Sequence, residues 1–234
     1  MAPSTHTVII SEEADRTIRV FDYEEADKDG AATDKVVKNI IDFRAETEAL
    51  TSASDYLKTF LTSKAFSDTG KDVVVFQNAP IVRVMIVILG VLHDKFSLLG
   101  IHALGKPLSH ALGLPIKDLW AVTATAQEWI LDIGLFKAWF AMWYNTNKAL
   151  AEDHLRQMLY PAFDFNHARV FQDATKKLAY SHPGHITEEN PSRYKHLHLP
   201  QRVISKQETN YQVTSLTISR CGECGKGSAE KRTT

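Results

Sequence analysis

The sequence predicts an α+β fold in which a small sheet is flanked by helices and followed by an α-helical extension. Short runs rich in β-branched residues occur at 17–23, 35–43 and 73–76, as expected for strands of one small sheet. Between the last two runs, residues 46–61 carry apolar side chains at helical spacing. From Pro115 onward, apolar stripes at the same spacing predict that the second half of the chain is helical.

Residues 1–34 are predicted to form an acidic N-terminal segment that is partly disordered. Residues 11–35 contain nine Asp or Glu against four Lys or Arg. Within them, Thr17–Tyr23 alternates apolar and polar residues, a pattern typical of a strand. A turn-rich loop separates this strand from the next one, Lys35–Phe43.

Two short helices are predicted after Phe43, at Glu46–Leu50 and Asp55–Leu61. Ser54 precedes the second helix, where its side-chain oxygen can accept from an amide of the first turn that has no helical partner. A short buried strand is expected at Val73–Phe76. Ile81–Leu92 is then interpreted as a buried helix, because Pro80 suits a helix start and the run is long for a strand.

The helical half contains two apolar stripes that are interrupted at Gly134. Further helices are predicted at His154–Leu159 and Phe165–Tyr180, with a break at Pro161, and residues 181–200 are expected to be extended. The predicted domains are therefore 35–147, a helical and extended C-terminal extension at 148–204, and a divergent, disordered tail at 205–234. The stripes comprise Leu119, Val122, Ala126, Trp129, Ile130 and Ile133, then Phe136, Trp139, Phe140 and Trp143.

Composition argues against several classes of function. The chain has 27 basic and 28 acidic side chains, whereas a nucleic-acid-binding protein usually carries a basic excess. The longest apolar segment, Ile81–Leu92, is too short to cross a bilayer. The only cysteines, Cys221 and Cys224, make no disulfide framework, so a cytoplasmic or nuclear location is expected.

The motifs that could carry chemistry are weak. Glu25 opens a run like that of a calcium loop, but the twelfth position is Val36 rather than Glu. Cys221 and Cys224 have the spacing of half a zinc site. The second pair of ligands would be His196 and His198, or His182 and His185. The chain contains no nucleotide-binding glycine loop and no GxSxG, so we expect that it is not an enzyme and needs no cofactor. A hydrolase using His167 or His185 is the least favoured alternative.

Residues 40–66, IIDFRAETEALTSASDYLKTFLTSKAF, resemble the central segment of BTB/POZ domains. In that family, a strand ending in Phe is followed by a helix pair with a Leu-x-x-x-Ser pattern and then by a small strand. Leu50, Ser54 and Leu57 match the pattern. Residues 73–95 resemble the next strand and helix. Residues 118–145, 159–180 and 184–204 are similar to a helical extension in fungal BTB proteins, and GHITEENPSRYKHLHLPQRVI is the most specific part.

This resemblance implies a BTB/POZ fold and a protein-protein interaction module without enzymatic activity. The implied partners are a second copy of the chain, another BTB protein, or a cullin-type ubiquitin ligase scaffold for which the chain would act as adaptor. Phe66 and Asp68 occupy positions similar to those that bind the scaffold in adaptor members. The alternative prediction is a zinc-stabilised regulatory protein that uses Cys221, Cys224, His196 and His198.

Overall fold

The computed structural model describes residues 3–23, 37–62, 72–76, 81–94, 111–181, 186–200 and 203. It confirms an α+β architecture. Four strands form one sheet: β1 (Ser4–Ile9), β2 (Arg16–Tyr23), β3 (Val37–Ala45) and β4 (Val73–Phe76). The strand order is β1-β3-β2-β4.

The register of the sheet places its apolar residues on one face. β2 and β3 are antiparallel, with Ile18 opposite Phe43 and Val20 opposite Ile41. β4 runs parallel to β2, and Val74 lies beside Ile18. All five side chains are buried. Because side chains alternate between the faces of a strand, this register buries a single face, and the helices cover it.

Two of the strands come from the N-terminal segment. β1 pairs in parallel with β3 and lies at the edge of the sheet, and β2 lies between β3 and β4. Arg19 on β2 donates two hydrogen bonds to Asp42 on β3, at 2.7 and 2.8 Å. The strand predicted at Thr17–Tyr23 is confirmed, and the sheet therefore extends across the expected boundary at residue 35.

Two short helices, α1 (Thr47–Ala53) and α2 (Asp55–Thr62), follow β3 as predicted. Ser54 caps α2, because its Oγ accepts from the Leu57 amide at 3.1 Å. The same hydroxyl donates to the Trp129 carbonyl. At the start of α1, the Glu46 amide donates to Nε2 of His93 at 2.9 Å, and Nδ1 of that ring lies 2.7 Å from the Leu89 carbonyl oxygen.

The predicted buried helix is confirmed as α3 (Val82–Leu92). Every residue from Val84 to Gly90 is buried, and the helix contacts α1 on one side and the helical half on the other. Its continuous apolar surface is explained by this central position, since a helix covered on all sides gains nothing from a polar face.

The helical half begins with α4 (Ile116–Glu128), followed by a 3₁₀ turn (Ile133–Phe136) at the predicted break. The chain continues through α5 (Lys137–Thr146), α6 (Lys148–Asp153), α7 (Leu155–Asp164) and α8 (Ala168–Ser181). None of the helices within the described ranges has the length and apolarity that a membrane crossing requires.

The four tryptophans are buried, as the stripes predict for Trp129, Trp139 and Trp143. Three of them also donate their indole N–H to backbone carbonyls. Trp139 donates to Ala111 at 3.2 Å, Trp143 to Leu114 at 2.9 Å, and Trp120 to Gln157 at 3.1 Å. Each bond satisfies a polar group that would otherwise be costly to bury.

The predicted break at Pro161 is wrong. Pro161 lies inside α7, which continues to Asp164. A proline lacks the amide that would donate to the carbonyl four residues earlier, here that of Gln157. The Trp120 indole supplies the missing donor to this carbonyl, so the helix continues without an unpaired oxygen. The chain turns instead at Asn166, which has a φ of 52°.

The predicted burial of Ile130 is also wrong. α4 ends at Glu128, and Ile130 adopts a left-handed φ of 53° with 68% of its surface exposed. The Leu131 amide donates to the Ala126 carbonyl at 2.8 Å, and the Ile130 amide to Gln127 at 3.1 Å, which closes the helix end. A β-branched residue in this conformation is strained.

Trp120→Phe should lower the free energy of unfolding by about 1–3 kcal/mol beyond its packing loss, because the Gln157 carbonyl loses its donor. In a Pro161→Ala background the restored amide can take over that role, so the cost of Trp120→Phe should fall by about 1 kcal/mol. Chemical denaturation of the parent protein, the two single variants and the double variant measures this coupling. Additive changes in the free energy of unfolding would contradict the compensation.

Ser54→Ala should lower the free energy of unfolding by about 1–2 kcal/mol, because it removes the cap of α2 and the donor to the Trp129 carbonyl. Ser52→Ala is the matched control, since Ser52 is exposed and its hydroxyl bonds only the Ala49 carbonyl. Equal effects of the two substitutions in denaturant titrations would refute the role given to Ser54.

Candidate functional site

Residues 186–200 contain the most distinctive polar part of the sequence and form neither helix nor strand. The Asn190 side chain holds them together. Its Nδ2 donates to the carbonyls of Tyr194 and Leu197, at 2.9 and 3.1 Å. Its Oδ1 accepts from the amide and the hydroxyl of Ser192, at 2.8 and 2.6 Å. The expected extended segment is therefore a turn fixed by one amide side chain.

One glutamate closes this segment on itself, and a second glutamate attaches it to α7. Both carboxylate oxygens of Glu188 lie 2.9 Å from the Leu199 amide nitrogen. The Glu189 side chain accepts from Nε2 of Gln157 at 2.9 Å, and its amide donates to the Arg156 carbonyl at 3.2 Å. The polar residues of this segment thus fix its position against α7.

The segment faces the starts of α3 and α4 across an open cleft of about 300 Å³, which we call the basic cleft. It is the candidate functional site because cationic side chains from three separate parts of the chain line it. Its lining comprises Ile81 and Arg83 at the start of α3, Lys117, Asp118 and Ala121 on α4, and Pro191, Ser192, Arg193 and Tyr194.

Neighbouring side chains fix two of the three cations. Nε of Arg83 donates to the carboxylate of Asp118, which is only 4% exposed. Arg193 donates to the Tyr194 hydroxyl at 3.2 Å, and its guanidinium carbon lies 5.2 Å from the centre of that ring. Lys117 is exposed at the edge of the cleft.

The basic cleft has a positive charge surplus in a chain whose net charge is −1. Among the described residues that line it, Arg83, Lys117 and Arg193 contribute three positive charges and Asp118 one negative charge, a surplus of two. The N-terminal ends of α3 and α4 add the positive ends of two helix dipoles. The arrangement can therefore hold an anionic group.

The protein-interaction and cysteine predictions lie outside the described residues. Phe66 and Asp68 fall in 63–70, and Cys221 and Cys224 fall in 204–234. His182, His185 and the calcium-loop pattern from Glu25 to Val36 also lie outside the described ranges.

His196 and His198 are described and exposed. Nδ1 of His198 lies 2.8 Å from the His196 carbonyl oxygen, and the His196 ring meets Tyr194 edge-on at 6.3 Å. In the part of the chain that the structure describes, no group of three or more His, Cys, Asp or Glu side chains could hold a metal. The zinc hypothesis therefore stays a prediction that depends on the cysteine-containing tail.

His167, the candidate base of the hydrolase alternative, has a structural position. It immediately precedes α8, and its Nδ1 lies 3.4 Å from the Val170 amide nitrogen, at the first turn of that helix. Its ring packs edge-on against Phe140 at 5.7 Å. Through these contacts, His167 caps α8 and packs on the aromatic core.

Sequence reasoning missed the basic cleft. Arg83 is the one charged residue in the apolar run Ile81–Leu92, and nothing local connects it with Asp118, 35 residues later. Arg193 lies within the segment whose polar residues have no periodic explanation. That lack of periodicity was the one available signal that side chains, rather than regular structure, organise residues 186–200.

A second unusual group is the carboxylate of Asp164, the last residue of α7. Burial raises the pKa of Asp164 to about 6. Among the described residues, its buried Oδ2 has no hydrogen-bond partner. The C-terminal end of a helix also disfavours a negative charge. The ionised form of this residue therefore destabilises the fold.

Asp164→Asn should stabilise the protein at pH 7.5 and have little effect near pH 4. Because the folded-state pKa is raised from 3.8 to about 6, protonated Asp164 contributes stability at low pH. That contribution is lost as the pH rises from about 4 to above 6. Urea unfolding of the parent protein and of Asp164→Asn at several pH values measures the difference in their free energy of unfolding. An effect of Asp164→Asn on the free energy of unfolding that is the same at pH 4 and at pH 7.5 would contradict the effect of burial.

No protein-family model, curated protein or solved structure matches the chain.

Proposed function

We propose that the chain is a protein-protein interaction module with an α+β fold of the BTB/POZ type. The observation that carries the proposal is the order of elements between residues 16 and 92. An antiparallel strand pair is followed by two short helices, a strand parallel to the first member of the pair, and a buried helix. From β3 onward, the succession of strand, helix pair, strand and helix is the one that the sequence resemblance implies.

The residues that carry the resemblance support the proposal through their burial. Phe43 ends the apolar part of β3 and is fully buried. Leu50, Ser54 and Leu57 are each less than 5% exposed, and the two leucines belong to the same core as Phe43. The residues that match the family pattern are thus the ones that pack the helix pair on the sheet.

The edge of the sheet supports self-association. β1 is one of the two outermost strands, and its residues are largely exposed. Ile9, at its end, has 62% of its surface exposed. An edge strand offers backbone donors and acceptors to another chain, and an exposed apolar side chain beside them adds contact area. We propose this edge as the surface where a second copy binds.

An adaptor role is the second form of the proposal. Phe66 and Asp68 would contact a cullin-type scaffold, with an apolar anchor next to a charge.

The full-length chain should show a mass that rises from one to two copies with concentration in light scattering. Ile9→Lys should weaken this association by about tenfold, because a charge replaces an apolar contact at the edge. Leu150→Lys is the matched control, since Leu150 is an exposed apolar residue on α6.

A chain that stays monomeric at all concentrations and also fails to bind a purified cullin-type scaffold would contradict the proposed function. If the scaffold binds, Phe66→Ala should weaken binding by about tenfold or more. The control is Phe163→Ala, because Phe163 is partly exposed on α7.

A further inference from the structure

We propose that the basic cleft binds a phosphate monoester group, carried either by a phosphorylated protein side chain or by a small phosphorylated molecule. The inference does not depend on the proposed function, because it concerns a surface formed by α3, α4 and residues 191–194.

The first step is the charge of the basic cleft. Arg83, Lys117 and Arg193 come from two helices and a turn, and they line one space together. Grouping like charges raises the free energy of the folded state. Among the described lining residues, Asp118 supplies the single negative charge. A phosphate monoester carries close to two negative charges at pH 7 and would balance the surplus that remains.

The second step is that the donors are already positioned. The buried carboxylate of Asp118 holds Arg83 through Nε, and no other described hydrogen bond engages its two terminal nitrogens. Arg193 lies over the Tyr194 ring, and the turn that carries both is fixed by Asn190. Fixed guanidinium groups suit phosphate, because two N–H groups can bond two oxygens at once.

The charge and the size of the cleft suit a phosphate ester better than a simple carboxylate. A carboxylate carries one negative charge, which would leave half of the surplus unbalanced. The cleft, at about 300 Å³, also holds more than a single small anion. Its apolar lining of Ile81, Ala121 and Pro191 can contact the carbon atoms of the esterified group.

The test is a titration of the full-length chain with phenyl phosphate, inorganic phosphate and acetate, followed by amide chemical shifts. Phenyl phosphate should bind saturably at pH 7.5, about tenfold more tightly than acetate. Affinity should fall as the pH is lowered to 5.5, because the phosphate loses its second charge. Equal binding of acetate, or the absence of saturable shifts, would overturn the proposal.

Variants locate the site. Arg193→Gln and Lys117→Gln should each weaken phenyl phosphate binding by about tenfold, since each removes a charged donor. Lys195→Gln is the matched control, because Lys195 is exposed in the same turn and does not line the cleft. Both tested side chains are exposed, so the thermal midpoints should be unchanged. Wild-type affinity in both cleft variants would overturn the assignment.

A phosphoserine peptide and its unphosphorylated form distinguish the two sources. Binding of the phosphopeptide at least tenfold more tightly than phenyl phosphate assigns the group to a protein. Equal binding of the two assigns it to a small molecule. A peptide that binds equally well with and without its phosphate would contradict the inference.

Discussion

The structure depends on the contacts made at the end of α4. The Ser54 hydroxyl donates to the Trp129 carbonyl, and the Trp129 ring lies 5.1 Å from Phe76 on β4. Phe76 in turn lies 4.9 Å from Phe60 on α2. The sheet, the helix pair and the helical half therefore meet at one residue. Because α4 is a rigid rod about 20 Å long, fixing its end at Trp129 also places Lys117 and Asp118 at its beginning.

The elements that could be predicted from the sequence are those whose signal is local. The alternation in β2, the helical spacing of Tyr56, Leu57, Phe60 and Leu61, and the position of Ser54 each depend on a few neighbouring residues. At these positions the local sequence preferences and the tertiary packing favour the same element. The elements predicted from the sequence are therefore those found in the structure. The long apolar run of α3 is similar, since its length alone separates a buried helix from a strand.

The predictions that failed depend on distant partners. Pro161 is a helix breaker unless a donor reaches the Gln157 carbonyl, and that donor comes from Trp120, 37 residues earlier. β1 was missed because its largely exposed residues do not alternate between apolar and polar, and its place in the sheet is set by pairing with β3. The basic cleft is assembled from residues about 110 positions apart, from Arg83 to Arg193, which no local pattern connects.

The distribution of the tryptophans has a consequence for spectroscopy. All four lie between residues 120 and 143, and the sheet contains none. Intrinsic fluorescence excited at 295 nm therefore reports the state of the helical half, while hydrogen exchange of the strand amides reports the sheet. Agreement between the two signals is a direct measure of whether the contacts at Trp129 make the two halves unfold as one cooperative unit.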